Sequence, residues 1–410
     1  MHPDGPGPDK SVRADASAIA ADLAELRHQI HREPEIGLDL PQTQQTVLNA
    51  LDGLPLEVTR GRALSSVTAV LRGGRPGPTV LLRGDMDALP ITERTGLDYA
   101  STVTGVMHAC GHDLHTAMLA GAARILSARQ YELPGNVIFM FQPGEEGYGG
   151  ARYMIDEGVL DAAGDRPVAA YALHASAAQF GHGRFATRPG SMMAAADVLD
   201  VTVRGHGGHA SQPQLAADPI PAACEMVTAL QTMVTRRFDV FDPVVITVGS
   251  FHAGTTDNVI PDEAHFLATV RSFSTAARER VRAEIMRLLT GIATGHGLQA
   301  SVEYLDGYPV TVNDAAEVAF AGQTVMDVFG GGRLLAQEHP LPGAEDFSFV
   351  LEQVPGAFIM LGACPADATP GQAPANHAAD AVFDDAVLAD GTTLLAELAL
   401  RRLAAEGPFS

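Results

Sequence analysis

Four side chains that can bind a metal or carry a proton lie between Met107 and His115: His108, Cys110, His112 and His115. In an extended segment, residues two apart point the same way, so we expect His108, Cys110 and His112 to project from one side. Thiolate sulfur and imidazole nitrogen are ligands that Zn²⁺ binds well. The pattern alone also fits a small buried cysteine beside a polar turn, so a metal site requires further ligands elsewhere in the chain.

A helix is predicted directly after this segment. Asp113 stands where a helix N-cap is expected, and apolar residues follow at helical spacing from Met118 to Leu126. The N-terminus of a helix favours a nearby negative charge, and the thiolate is the form of cysteine that binds metal. We therefore expect Cys110 to lie just before a helix in a metal-binding form.

A second chemical signal is the pair Glu145-Glu146, which follows the apolar run 136–141 within a Gln-Pro-Gly-Glu-Glu-Gly sequence. Two adjacent carboxylates do not both ionise readily unless a cation or solvent screens them. A solvated surface pair is the ordinary interpretation of two glutamates. Their position in a glycine-flanked turn at the end of a buried strand favours a cation site instead.

Other polar side chains also follow apolar runs that read as buried strands. The run 79–83 precedes Asp85 and Asp87, the run 168–173 precedes His174, and the run 357–361 lies a short loop before His377. With helices between the strands, this repeated placement indicates the carboxyl edge of an open α/β sheet. One Cys, one Glu and three His at that edge supply enough ligands for two divalent ions that share one ligand.

The elements that position these groups divide the chain. A helix is predicted over 15–32, strands over 64–72 and 79–83, and a turn between those strands over 73–78. From about 194 to 305 the pattern becomes β-α-β-β-α-β, a ferredoxin-like order that can fold as a unit. We therefore predict an α/β catalytic domain with an open, mostly parallel, helix-covered sheet at 11–193 and 307–410. An inserted ferredoxin-like satellite domain would occupy 194–306, after a disordered tail at 1–10.

Composition narrows the classes of partner. A chain of 410 residues exceeds the usual size of a single core, so two domains are expected. Lys plus Arg is 27 against 49 for Asp plus Glu, a formal charge of −22. Such a surface repels nucleic acid and anionic membranes, although a metal can still create a local site for an anionic substrate.

Cysteine usage and hydropathy point to the cytoplasm. Cys110, Cys224 and Cys364 are too few and too scattered for a disulfide framework. No run approaches the roughly 18 to 20 apolar residues that a membrane span needs, and the first ten residues lack the apolar segment of a signal peptide. We expect a cytoplasmic protein with no membrane or nucleic-acid partner.

With these residues in view, the chain resembles the M20 family of metallopeptidases and amidohydrolases. The resemblance is to the branch with aminoacylase-like, hippurate-hydrolase-like and auxin-conjugate-hydrolase-like enzymes. Matching segments occur in family order along nearly the whole chain: 31–37 (HREPEIG), 83–90 (RGDMDALP), 107–113 (MHACGHD), 141–147 (FQPGEEG), 205–211 (GHGGHAS), 258–262 (NVIPD), 343–347 (GAEDF) and 376–377 (NH).

The resemblance implies a role for each matching position of the α/β domain. The family's metal ligands correspond to Cys110, His112, Glu146, His174 and His377, with Cys110 in the bridging position. Glu145 matches the general base, and Asp87 matches a carboxylate that orients the site. Asp85 stands where other branches place a histidine ligand. Gly144 replaces the alanine of many relatives and Gln214 replaces a histidine, which leaves the acyl preference open.

In the inserted domain, His209 matches a histidine that reaches the active site of a partner subunit and stabilises the oxyanion. Asn258 and Arg271 match substrate-contacting positions. An Arg fork suits a terminal carboxylate, although a solvated charge at a strand end is the alternative for Arg271. His206 has no family match and is predicted to be a surface residue.

The resulting hypothesis is a metal-dependent amidohydrolase, an aminoacylase-type enzyme that cleaves the amide bond of N-acyl amino acids. The resemblance implies two divalent ions per subunit, with Zn²⁺ favoured by ligand softness and Mn²⁺ or Co²⁺ as alternatives, and a homodimer formed through the satellite domain. A carboxypeptidase or dipeptidase of the same family is the nearest alternative. A noncatalytic ligand-binding protein on the same fold is the alternative from another class.

Overall fold

The computed structural model describes residues 11–405, so the predicted tail at 1–10 lies outside the described residues. The described chain forms two compact units. The first comprises 11–190, 312–338 and 349–405, and the second comprises 191–311 and 339–348.

The described residues contain ten α-helices. They are α1 Val12–Ala18, α2 Ala20–Arg32, α3 Pro41–Leu51, α4 His112–Ala128, α5 Gly150–Asp156, α6 Pro219–Arg237, α7 Thr275–Gly295, α8 Ala315–Phe329, α9 Ser348–Leu351 and α10 Leu388–Ala404. None of the helices within 11–405 is both long enough and apolar enough to cross a membrane.

Between residues 11 and 405 there are sixteen strands. They are β1 Leu56–Arg60, β2 Val67–Arg72, β3 Arg75–Asp85, β4 Pro134–Gln142, β5 Ala169–Ser176, β6 Phe185–Thr187, β7 Gly190–Met193, β8 Ala195–Arg204, β9 Gly208–His209, β10 Val244–Ala253, β11 Val259–Ile260, β12 Glu263–Ser272, β13 Gln299–Tyr308, β14 Thr311–Asn313, β15 Leu334–Ala336 and β16 Gly356–Gly362.

Eight strands of the described chain form the sheet of the first unit, in the order β1-β2-β4-β3-β5-β16-β6-β15. The central strands β4, β3, β5 and β16 run parallel, and antiparallel pairs lie toward the edges. Every residue of β5 and β16 is buried, as expected for strands covered on both faces. The predicted open, mostly parallel sheet with helices is confirmed.

The parallel strands bring the candidate groups to one edge. β3 ends at Asp85, β4 ends three residues before Glu145, and β5 contains His174 two residues before its end. Because the carboxyl ends of parallel strands share an edge, side chains distant in sequence meet there.

Local boundaries differ from prediction, and the strand predicted over 64–72 begins only at Val67. The predicted helix over 15–32 is divided at Ile19, whose backbone angles of −101° and 4° are not helical. The predicted turn over 73–78 is shorter, because β3 already begins at Arg75, which pairs with Pro134. The glycines Gly73 and Gly74 alone separate β2 from β3.

The second unit has its own core. Its four-stranded antiparallel sheet has the order β10-β12-β8-β13. Strand β8 alternates buried and less buried residues, and its buried residues pack with the apolar faces of α6 and α7 in one cluster. This is the pattern of a sheet with one face covered by helices.

Candidate metal centre

The segment that carries Cys110 turns sharply into α4 at Gly111. Gly111 has φ of +85°, and a Cβ there would lie 3.0 Å from the Phe383 ring and 3.2 Å from Cβ of Ala175. Helix α4 therefore starts at His112, with Gly111 as its N-cap. The prediction that Asp113 is the N-cap is wrong, because a glycine in the left-handed conformation starts the helix two residues earlier than expected.

Asp113 instead links the start of α4 to two residues of α2. It is fully buried, and its Oδ2 accepts hydrogen bonds from Nε of Arg27 at 2.9 Å and Nδ1 of His31 at 2.8 Å. Burial would raise the pKa of Asp113, but the charges of Arg27 and His31 hold it well below its usual range. Burial would likewise lower the pKa of His31, but Asp113 raises it to about 9.

This ion pair predicts a pH-dependent stability. The pKa of His31 is raised from 6.5 to about 9 in the folded chain, so its contribution to stability is complete below pH 6.5 and is lost as the pH rises through 9. We expect His31→Gln to lower the melting temperature most at acidic pH, with a difference from the unaltered chain that shrinks toward pH 9. Thermal melts across this range measure it, and a pH-independent difference would contradict it.

Cys110 and His174 form the first part of the candidate site. The Sγ of Cys110 lies 3.4 Å from Nε2 of His174, and these atoms lie with a ring nitrogen of His112 within 4.8 Å of one another. Nδ1 of His174 donates to the carbonyl of Ala175 at 2.9 Å, which leaves the Nε2 lone pair directed toward Cys110. Burial and the nearby His115 hold the pKa of His174 well below its usual value, so the ring is neutral, as a ligand must be.

Cys110 also belongs to a second group of potential ligands, with Glu146 and His377. Nε2 of His377 lies 3.3 Å from Sγ of Cys110 and 3.1 Å from Oε1 of Glu146. The close contacts with Cys110 and Glu146 raise the pKa of His377 to about 10. These neighbours therefore favour positive charge at this position.

The Glu145-Glu146 turn is fixed by Asp87. The two carboxylate oxygens of Asp87 accept the backbone N–H groups of Glu145 and Glu146, each at 3.0 Å. Its Oδ1 also lies 3.3 Å from Nδ1 of His112. One buried carboxylate thus orients the glutamate turn and faces a ring nitrogen of a candidate ligand.

His112 tests whether the residues present fit a cation. It is fully buried, yet neither ring nitrogen makes an aligned hydrogen bond with another residue of 11–405. Oε1 of Glu146 is also buried and also lacks an aligned hydrogen bond within these residues. Buried polar atoms ordinarily have partners. Burial would lower the pKa of His112, but Asp85 raises it well above its usual value. Sulfur, nitrogen and carboxylate donors facing one another, with unpartnered atoms among them, fit a divalent cation.

Asp85 and His115 form a neighbouring group with His112. The carboxylate of Asp85 accepts hydrogen bonds from Nη1 of Arg83 at 2.6 Å and from Nδ1 of His115 at 2.5 Å. Nε2 of His115 accepts the N–H of Ala175 at 2.7 Å. Because that nitrogen must accept, His115 donates from Nδ1 to Asp85, and it links the end of β3 to the end of β5.

His108 does not join these groups. Its ring is buried near that of His31, with 6.1 Å between centroids, and neither ring nitrogen has a hydrogen-bond partner in the described part of the chain. The expectation that His108 projects beside Cys110 and His112 is wrong, because the chain turns at Gly111 and His112 already belongs to a helix.

The other candidates lie in the second unit. His209 on β9 is exposed and pairs with Val259, next to Asn258, whose carbonyl accepts the N–H of Ala210 at 3.1 Å. Nδ1 of His209 accepts the N–H of Ser211 at 3.1 Å, so its Nε2 carries the hydrogen and can donate. Arg271 on β12 is half-buried and forms no ion pair within 4.0 Å among residues 11–405.

Asn376 also lies at this site, although no role is predicted for it from the sequence. Its side chain hydrogen-bonds to the main chain at Cys110, Ala175 and Ala177. The available signal was its position directly before the candidate ligand His377.

Comparisons with known proteins found similar sequences and structures. A model of peptidase family M20/M25/M40 matches residues 81–401. The chain is 35% identical over 396 residues to thermostable carboxypeptidase 2 of Saccharolobus solfataricus, covering 96% of this chain and 98% of that protein. It is 35% identical over 341 residues to an N-acetylcysteine deacetylase of Bacillus subtilis, covering 83% and 88%.

A solved structure is also similar. The crystal structure of a Bacillus subtilis protein, described as a dinuclear metal-binding peptidase of the M20 family, superposes with a TM-score of 0.81 at 31% identity. The superposition covers 95% of this chain and 99% of that one.

Proposed function

Because the chain belongs to peptidase family M20, we propose that it is an aminoacylase-type enzyme that hydrolyses the amide bond of N-acyl amino acids. The chain is a hydrolase that acts on amide bonds, as are its named relatives. The observation that carries the proposal is that Cys110 is shared by two groups of ligands, one with His112 and His174 and the other with Glu146 and His377.

These groups would hold two divalent ions, with Cys110 as a residue common to both groups. The B. subtilis relative, described as dinuclear, supports this number. Such ions would supply Lewis acidity, which lowers the pKa of a bound water molecule and polarises an acyl carbonyl. Zn²⁺ is our preferred ion because thiolate and imidazole are soft or borderline ligands, with Mn²⁺ and Co²⁺ as alternatives.

Glu145 is assigned the proton transfers. It is adjacent to Glu146, is 6% exposed, and shares a group of potential ligand atoms with His112 and Glu146. Asp87 holds its backbone, so its carboxylate is presented from a fixed turn. Glu145 accepts a proton from the attacking water and later donates it to the leaving amine.

We assign residues of the second unit to binding of the substrate and to stabilisation of the transition state. His209, whose Nδ1 accepts the N–H of Ser211, presents an Nε2–H that can stabilise an oxyanion. The guanidinium of Arg271 suits the substrate carboxylate, and Asn258 is assigned a separate contact with the substrate. Following the family pattern, His209 acts on the site of a second subunit, so the proposal includes a homodimer formed through the satellite domain.

His209→Ala is expected to lower kcat by about 10²-fold to 10³-fold with a smaller change in KM, since an oxyanion donor acts mainly in the transition state. The matched control is His206→Ala, because His206 is also exposed and lies three residues away. Steady-state kinetics of both variants measure the effect. An effect of His209→Ala on KM alone would assign it to substrate binding, and equal effects of both variants would remove its special role.

One assay tests the reaction and separates it from the nearest alternative. The chelated protein is reloaded with Zn²⁺, Mn²⁺ or Co²⁺ and given N-acetyl amino acids or dipeptides with a free α-amine. An aminoacylase prefers the N-acetyl substrates. Preference for dipeptides would instead favour a carboxypeptidase or dipeptidase, a second candidate supported by the likeness to the S. solfataricus carboxypeptidase. Turnover of neither class would overturn the proposal.

We also propose a cytoplasmic location. The three cysteines are unpaired, and one of them, Cys110, is a proposed ligand that must remain reduced.

A further inference from the structure

The side chain of Asn376 joins three segments around the candidate site. Its Nδ2 donates to the carbonyls of Ala175 at 2.9 Å and Cys110 at 3.2 Å, and its Oδ1 accepts the N–H of Ala177 at 2.8 Å. A carboxamide has two N–H donors and one carbonyl oxygen, so these bonds use both donors and fix the orientation of the amide.

The same contacts reach two proposed ligands. Nδ2 of Asn376 lies 3.8 Å from Sγ of Cys110. The carbonyl of Ala175 also accepts Nδ1 of His174, so Asn376 and His174 share one acceptor. A shift of the Asn376 side chain would therefore change both the position of the Cys110 thiol and the orientation of the His174 ring.

The next residue, His377, has an unusual backbone. Of the non-glycine residues in 11–405, it alone has a positive φ, 69°. Such a conformation persists where the surroundings hold it. Here the N–H of His377 donates to the carbonyl of Ala109 at 2.8 Å, while Asn376 bonds to the carbonyl of Cys110. Two consecutive residues are thus tied to two consecutive residues of the facing segment, and Nε2 of His377 reaches Cys110 and Glu146 from there.

We propose that Asn376 is a positioning residue that holds Cys110, His174 and His377 at the separations needed for two ions to share the Cys110 thiolate. The inference rests on the proposed metal site and deepens it. Asn376 acts through these ligands, not on the substrate. Hydrogen-bonded partners of ligands typically change metal affinity by about 10-fold to 100-fold when they are removed.

Asn313 provides a matched control. Its side chain makes the same kind of contact, with Oδ1 accepting the N–H of Phe358 at 2.7 Å and Nδ2 donating to the carbonyls of Phe358 and Arg188, each at 3.1 Å. Asn313 is 2% exposed, and its hydrogen bonds involve none of the proposed ligands. Its loss should therefore destabilise the fold without loosening the metal.

The experiment measures Co²⁺ binding to chelated full-length protein carrying Asn376→Ala, Asn376→Asp, Asn313→Ala or Cys110→Ser. Cobalt titration gives the affinity, and thiolate-to-cobalt charge-transfer absorption reports the Cys110 bond directly. We expect Asn376→Ala to weaken cobalt binding by about 10-fold to 100-fold and to reduce the absorption per bound cobalt. Asn376→Asp has nearly the same size but should weaken cobalt binding as well, because a carboxylate oxygen would replace the Nδ2 group and face the two carbonyls to which it donates. Asn313→Ala should lower the melting temperature only.

Unchanged affinity and absorption in Asn376→Ala would overturn the inference, as would an equal loss in Asn313→Ala. If Cys110→Ser abolishes the absorption while Asn376→Ala keeps it, the metal site stands and the role of Asn376 fails. If Cys110→Ser itself keeps the absorption, the proposed ligand set fails first.

Discussion

Glu145→Gln is expected to lower kcat by about 10²-fold to 10⁴-fold, the usual contribution of a general base, while the amount of bound metal stays nearly unchanged. The amide keeps the size of the side chain and cannot accept the proton of the attacking water. The backbone N–H of Glu145 still donates to Asp87, so the turn that also carries Glu146 should hold its position. Steady-state kinetics and elemental analysis of the same preparation measure both quantities.

The neighbouring Glu146→Gln is the matched comparison. Its Oε1 lies 3.1 Å from Nε2 of His377 and is one of the buried atoms without an aligned hydrogen bond. Neutralising this carboxylate should therefore reduce bound metal, whereas Glu145→Gln should not. Full turnover by Glu145→Gln would remove Glu145 from the proton transfers. A fall in its metal content in step with its activity would make Glu145 a ligand instead.

The sheet and its ordered edge were predictable because apolar runs and the polar residues after them are local in sequence. The strands before Asp85, Glu145 and His174 are buried throughout their final residues, and runs of this kind indicate covered parallel strands. Once the strands are parallel, their carboxyl ends must meet. The proximity of groups far apart in sequence then follows from topology, as the 3.0 Å hydrogen bond from the N–H of Glu145 to Asp87 illustrates.

The details of the Cys110 segment could not be predicted from the same pattern. Both glycine and aspartate start helices, and the structure uses Gly111 because a Cβ there would approach Phe383 and Ala175 closely. That contact depends on residues more than sixty positions away. Asp113 is then released to bind Arg27 and His31, and His108 is directed toward His31 instead of the candidate ligands.

Asn376 illustrates a second kind of residue whose role could not be predicted from the sequence. Its amide bonds only to main-chain atoms of distant segments and to a sulfur at 3.8 Å, and main-chain donors and acceptors leave no trace in the sequence. The nearby Asp87 was easier to recognise, because it is a carboxylate directly after a buried strand and matched a family position. Residues that position ligands through the backbone are therefore found from coordinates.

Cys110→Ser is expected to remove most of both metal ions, and activity with them. Sγ of Cys110 lies 3.4 Å from Nε2 of His174 and 3.3 Å from Nε2 of His377, so its loss affects both ligand groups. Serine is nearly isosteric, but its hydroxyl does not ionise as a thiol does and cannot supply the thiolate that binds metal. The loss of activity should therefore exceed the about 10-fold to 100-fold typical of a residue that only supports a ligand.

His174→Asn tests whether Cys110 is shared by both ligand groups. His174 belongs to the group of Cys110 and His112 only, and it is absent from the group that contains Glu146 and His377. It should retain about one ion per chain, where Cys110→Ser retains less, because one complete group of thiolate, carboxylate and imidazole remains. Cys224→Ser is the control for the loss of a thiol, because Cys224 is exposed on α6 of the second unit, and it should keep both ions. If Cys110→Ser also retains one ion, Cys110 serves a single ion and the bridge between the two groups must be another residue.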